Sequence, residues 1–218
     1  MYLKNILLTI VGLLGISSVK YLPFVYFIRF YKTAIKYLYF TSPPKISSAN
    51  KLDLFIEVRR STYCCPLECD FFGLHKNNGT YQTELDFCRT ETVLNRLQSF
   101  FTDFKKQTGR IPYVPLATYS ISFLKEIKPF QVYHMDTRIL TWDEKWLFTL
   151  SLFKVGDRIH SISVGKMVFK DGRKTIAPQE VIAACGYASD DVERVRLANF
   201  KYVTGFVDQT ELLKAEFI

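Results

Sequence analysis

The sequence predicts an α+β domain: one long helix set against an antiparallel sheet of about five strands, behind an N-terminal membrane-anchor helix. Three observations carry that expectation. Residues 81–104 hold apolar side chains at helical spacing, the stretches after residue 116 alternate like strands between short turn-forming gaps, and residues 6–19 are almost wholly apolar. At 218 residues the chain suits one ordinary domain with an appendage. The expected division is 1–40 for the anchor and a basic amphipathic helix, 41–52 for a linker, 53–177 for the main domain and 178–218 for a C-terminal helical extension.

Between Ile6 and Val19 only Thr9, Ser17 and Ser18 are polar. That run is short of the roughly 20 residues a span needs. Counting on through Lys20 and Pro23 to Ile28 reaches the length, with Lys20 snorkelling and Pro23 kinking the helix. A cleaved signal peptide competes, because the run has a suitable length and Ser17–Ser18 suit a cleavage site. The residues that follow favour the anchor. In 24–40, Arg29, Lys32 and Lys36 form one stripe of an otherwise aromatic and aliphatic helix, which suits a lipid headgroup layer. The same helix packed on its own domain is the alternative.

Residues 1–51 carry seven basic residues and no acid, against a formal charge of +8 for the whole chain. A basic excess confined to the flank of an apolar run speaks for a membrane surface and against nucleic acid. It sets the domain on the cytosolic face of an endomembrane such as the endoplasmic reticulum. Five cysteines, an odd number with no Cys-x-x-Cys pair and no histidine cluster, suit reduced packing thiols; neither metal nor cofactor is expected. Asn78-Gly79-Thr80 is formally a glycosylation sequon, unused if the domain faces the cytosol. The Pro/Ser stretch 41–50 ends the amphipathic helix.

The main domain opens with a β-rich stretch at 53–65. Asn77 or Asn78 is a good helix cap, and the stripe Tyr81, Leu85, Cys88, Val93, Leu97, Phe100, Phe101, Phe104 runs up to Gly109. Strands are expected at 116–127, 131–140, 145–155 and 158–169, and their short gaps imply an antiparallel meander. Helical stretches follow Pro178 and span 189–200, where an acidic start favours a helix N-terminus.

The stretch ECDFFGLHKNNGTYQTELDFCR, Glu68 to Arg89, sets a buried-looking acid, a histidine and two asparagines directly ahead of the long helix. It resembles the acidic-x-Asp, His-x-Asn-Asn-x-x-Tyr and Asp-x-x-Arg segments of the 4-hydroxybenzoyl-CoA thioesterase-like superfamily, whose fold is the hotdog. Within that superfamily the resemblance is strongest to the membrane-anchored thioesterase-superfamily-member-six family and its fungal relatives. It extends through FLKEIKPFQVYHMDTRILTWDEKWLF, residues 123–148, and covers about 53–180. One departure stands out: four residues separate Asp70 from His75 where the family has three, and Gly73 is expected to absorb the extra one as a bulge.

Thioester hydrolysis needs a group that attacks or activates water, and donors for the carbonyl oxygen as charge builds on it. The resemblance gives Asp70 the catalytic acid's position, and a helix N-terminus supplies free N–H groups and partial positive charge. Catalytic candidates are therefore Asp70, His75, Asn77 and, on the helix itself, Glu84. Asn78, Gly79, Thr80 and Tyr81 are the expected substrate contacts, with the Gly79–Tyr81 amides as oxyanion donors. The plainer alternatives stay open: Asp70 as a turn cap, His75 as a structural partner, the asparagines as helix caps, and Asp86 with Arg89 as a helix ion pair. The expected function is hydrolysis of a hydrophobic acyl-CoA or other acyl thioester at a membrane surface by a homodimer. A non-catalytic acyl-lipid or acyl-CoA binding protein on the same fold is the rival.

Overall fold

Five strands form one antiparallel sheet in the order β1-β3-β4-β5-β2 in the computed structural model, which describes residues 2–205 and 216. They are β1 (Val58–Tyr63), β2 (Leu116–Phe123), β3 (Val132–Trp142), β4 (Leu147–Val155) and β5 (Arg158–Met167). The part of the expected C-terminal extension beyond residue 205 lies outside the described residues, apart from Glu216. Strands β3, β4 and β5 make the expected meander. Asp143 Oδ1 closes the first turn by accepting from the Lys145 and Trp146 amides, and Gly156, at φ 56°, closes the second. The sequence reading is corrected at β2. It does not neighbour β3 but pairs with β5 at the far edge, so the chain crosses the sheet over residues 124–131 before entering β3.

The central helix is α3 (Tyr81–Arg96), followed by α4 (Gln98–Thr108). One continuous helix to Gly109 was the expectation; the chain instead breaks at Leu97, whose φ and ψ of −113° and 22° leave the helical region. The break turns Leu97, Phe100 and Phe101 together into a cluster with Tyr37, Trp142 and Phe169. A second cluster joins Leu85 and Cys88 of α3 to Tyr133, Met135 and Phe153 of the sheet. A short hairpin, β6 (Phe169–Asp171) with β7 (Lys174–Ile176), leads to α5 (Pro178–Ala184) and α6 (Asp190–Phe200). Phe200 and the following Val203 cover Leu140 and Phe148 on the sheet's other face, which explains why β3 is buried along most of its length rather than alternately.

The N-terminal segment is not the continuous helix the apolar count allowed. Helix α1 (Tyr2–Ser17) ends in a 3-10 turn over Val19–Tyr21, and α2 (Pro23–Ile35) starts afresh with Pro23 in its first turn. At about 1.5 Å per residue α1 is about 24 Å long, short of the roughly 30 Å hydrocarbon core. Among the described residues no helix is long and apolar enough to cross a membrane. Leu7, Leu8, Val11, Leu13 and Ile16 of α1 are nonetheless all exposed. Helix α2 is packed on α3, with the Tyr26 ring tilted against Phe87 at 5.2 Å and Tyr37 Oη donating to Glu91 Oε1 at 3.2 Å just beyond its end. Its basic stripe therefore faces the domain in part.

One charge cluster ties the first three strands of the sheet together. Asp136 on β3 accepts two bonds from the Arg59 fork on β1, at 2.6 and 2.7 Å, and one from Lys154 Nζ on β4 at 2.7 Å. The Arg59 bonds first, then Lys154, hold its carboxyl down to about 2 although burial opposes this. A carboxyl depressed in the folded state adds stability above its unfolded pKa and loses it as pH falls towards the folded one. Asp136→Asn should thus cost about 1–2 kcal/mol in denaturant titrations at pH 7, discounted for the exposure of Arg59. The gap to the parent protein should narrow between pH 4 and 2.

Candidate active site

Between β1 and α3 the chain makes a 3-10 turn, Pro66–Glu68, whose last residue is the best-enclosed acid of the region. Glu68 is fully buried. Its Oε2 accepts from the Cys65 amide at 2.9 Å and meets Lys20 Nζ at 2.6 Å, while Oε1 accepts from the buried Lys76 Nζ at 2.6 Å. Burial alone would raise this carboxyl, but Lys76 and Lys20 outweigh burial and hold it below the usual range. The Glu68 carbonyl also accepts from the Asn77 amide and the Thr80 hydroxyl, so the same residue anchors the cap of α3.

Asp70 sits in the next turn. Its carbonyl accepts from the Gly73 amide at 2.9 Å, and Gly73 adopts φ 65°, a left-handed conformation that glycine enters without a Cβ penalty. The extra residue between Asp70 and His75 is absorbed there as a turn. Asp70 Oδ1 accepts from the Leu74 amide at 2.8 Å and the His75 amide at 3.5 Å, and Oδ2 lies 3.8 Å from His75 Nε2. The buried-looking acid is thus Glu68. Asp70 is only half-buried, and Phe71 and Phe72 beside it are 97 and 77% exposed.

The donors at the start of α3 are arranged differently from expectation. Asn77 Oδ1 accepts from the Gly79 amide at 2.8 Å, the Asn77 carbonyl accepts from the Thr80 amide at 3.0 Å, and the Tyr81 amide donates to the Asn78 carbonyl. All three amides expected to face an oxyanion are therefore engaged in the cap. Asn78 is exposed, and among the described residues its N–H has no acceptor. The Tyr81 ring is buried at 4.9 Å from Phe153 and 5.0 Å from Phe123, and burial raises its phenol above the ordinary value.

A cavity of about 240 Å³ opens at this helix end, bounded by His75, Lys76, Asn78 and Tyr81 on one side and by Phe123–Glu126 on the other. Of the residues singled out from sequence, His75, Asn78 and Tyr81 line it, and Asp70 adjoins it through His75. Asn77, Gly79 and Thr80 build the helix cap. Glu84 is separate: it lies one turn along α3, fully buried, with Oε2 2.7 Å from Arg29 Nη2 and Oε1 3.6 Å from Lys20 Nζ. The Arg29 guanidinium also covers the Phe87 ring at 4.3 Å. Asp86 and Arg89 make the expected i, i+3 pair at 2.7 Å.

Sequence reasoning missed Glu68, Lys76 and Lys20 as one buried network. The available signal was a charged residue interrupting apolar neighbours, Lys20 between Val19 and Tyr21, which the sequence reading explained by snorkelling where the structure gives it a buried acid. Cys64 and Cys69 lie 3.7 Å apart, both reduced, and burial pushes the Cys64 thiol up to about 12. Among the described residues no group of His, Cys, Asp or Glu is arranged to hold a metal ion.

Breaking a buried pair by removing one partner leaves an uncompensated charge and costs about 3–5 kcal/mol. Arg29→Met should therefore lower the stability of the full chain by about 3 kcal/mol in urea unfolding, whereas Arg29→Met combined with Glu84→Gln should recover part of that loss. Equal stability of Arg29→Met and the parent would show that Glu84 does not need its partner.

A family model described as the thioesterase-like superfamily matches residues 64–185. A probable thioesterase of Saccharomyces cerevisiae is 39% identical over 198 residues, covering 87% of this chain and 84% of that protein. Thioesterase poxG of Penicillium oxalicum is 31% identical over 165 residues, covering 60% of this chain and 54% of its own length. Among solved structures, a probable thioesterase from Bartonella henselae aligns over 56% of this chain and 98% of its own, at 14% identity and a TM-score of 0.48. The extent of the family match and the long alignment to the yeast protein settle the family: the chain belongs to the thioesterase-like superfamily.

Proposed function

We propose that the chain hydrolyses an acyl thioester, with an acyl-CoA of hydrophobic acyl group as the substrate class, at the cavity beside the N-terminus of α3. The observation that carries this reading is a cavity lined by His75 and Asn78, with Asp70 Oδ2 3.8 Å behind the His75 ring and with Tyr81, Phe123 and Leu124 as apolar wall. A water held by Asp70 Oδ2 attacks the carbonyl carbon and gives its proton to that carboxylate. The developing oxyanion is met by the Asn78 N–H and side-chain amide in place of the capped amides of Gly79–Tyr81. The C–S bond then breaks, and the proton held by Asp70 passes to the departing thiolate. His75 orients the carboxylate, and Tyr81 with Phe123 supplies an apolar wall for the acyl group. Glu84, buried against Arg29, serves as a structural anion.

A second reading, a non-catalytic acyl-lipid or acyl-CoA binding protein, is favoured by one observation: Asp70 Oδ1 already caps a turn. Hydrolysis of an acyl-CoA panel by the full chain separates the two. Asp70→Asn should lower kcat/KM on the best substrate by about 10²-fold with little change in thermal midpoint. Unchanged activity in the variant sinks the role given to Asp70, and binding without turnover by the parent supports the second reading. The outer edge of β2, with Tyr119 and Phe123 exposed, is where we expect a second copy to pair. Activity should then travel with a species of twice 25.4 kDa in light scattering.

The apolar, exposed α1 supports attachment to a membrane interface rather than a span, with the reduced cysteines favouring the cytosolic side. The full chain should pellet with membranes, and Leu7→Glu with Leu14→Glu should release it to the supernatant. Retention of that double variant would overturn the role of α1.

A further inference from the structure

A larger cavity, about 440 Å³, opens between α2 and β1. Five cations stand on its wall: Lys20, Arg29, Lys32, Lys36 and Arg60. Glu91 is the one acid among the lining residues, and it is shared between Arg60 at 2.8 Å and Lys36 at 3.8 Å. Behind the wall, Glu68 and Glu84 are engaged by Lys20, Arg29 and Lys76. Even with all three acids charged, the lining cations outnumber them. Lys32 is exposed, and among the described residues it has no ion-pair partner. The adjacent β1 residues Ser61 and Thr62 also line it, and the Thr62 hydroxyl accepts from Lys20 Nζ at 3.1 Å.

So many like charges around one hollow repel each other, and the fold needs only two of them for its buried acids. An anion in the hollow would relieve the repulsion. A single carboxylate would leave most of the cations unmatched, whereas a phosphate brings several acceptor oxygens that suit lysine ammoniums and the Arg60 fork. We infer that this cavity binds the phosphate group of a larger molecule. Two carriers share that chemistry: a nucleotide such as CoA, and the headgroup of an anionic lipid at the surface that α1 would touch. The inference holds whether or not the chain hydrolyses thioesters.

The test uses the full chain and two double variants. Lys32→Ala with Lys36→Ala removes cavity cations that are exposed and hold no buried acid. Lys105→Ala with Lys106→Ala removes the same charge from the end of α4, away from the cavity. One series measures calorimetric binding of CoA, 3′-dephospho-CoA and pantetheine. The other measures sedimentation with phosphatidylcholine vesicles with and without phosphatidic acid. The parent should prefer the phosphate-bearing probe in at least one series, and the series in which it does so identifies the carrier. That preference should fall at least about tenfold in the Lys32/Lys36 variant, the factor carried by one charge-assisted hydrogen bond, and persist in the Lys105/Lys106 variant. Absence of any preference in the parent overturns the inference, and so does an equal fall in both variants.

Discussion

Two carboxylates shut away from water, Glu68 and Glu84, impose the condition that the rest of the structure meets. An isolated ion in a protein interior costs several kcal/mol even after relaxation, so each must find cations close at hand. Only one of the three that serve them, Lys76, comes from the sheet-and-helix unit; Lys20 and Arg29 come from the N-terminal segment. Docking of α2 on α3 is therefore an electrostatic requirement as much as a matter of apolar packing. Through Lys20 and Arg29 the N-terminal segment belongs to the charge balance of the domain.

The polar groups around the start of α3 follow the same logic of satisfaction. The Glu68 side chain takes the Cys65 amide and its carbonyl takes the Asn77 amide, while Asn77 in turn accepts from Gly79. Each group fixes the next, and the Asp70–Leu74 turn between them is closed by its own bonds to the Asp70 carbonyl and carboxylate. That turn carries the extra residue, and it also projects Phe71 and Phe72 into solvent. The Asp70 carboxylate is itself tied into that turn through the Leu74 and His75 amides.

Much of this was legible from local pattern. The stripe from Tyr81 onward marked the central helix, the turn residues marked β3 to β5, and the motif from Glu68 to Arg89 marked the family before any geometry was known. Counting residues between Asp70 and His75 pointed to Gly73 as the place that absorbs the extra one, although as a bulge where the structure has a left-handed turn. What stayed hidden was non-local. Nothing in the periodicity of 24–40 says that Arg29 will meet Glu84, or that β2 will cross to the far side of β5. The apolar count over 6–28 was read as one helix because it weighs composition, while Pro23 acts on backbone geometry and starts a new helix. Glu68 was overlooked in favour of Asp70 because burial depends on partners that lie far off in sequence.

The pairing of Arg29 with Glu84 joins residues 55 positions apart. On a ribosome adding roughly 5–20 residues per second, α2 waits roughly 3–11 s before its acidic partner has even been made. For that interval α1 and α2 are an apolar helix and a basic amphipathic helix with no domain to dock on. Docking of α2 on α3 thus waits for Glu84, and the Arg29 pair at 2.7 Å can close only after the start of the central helix has been made.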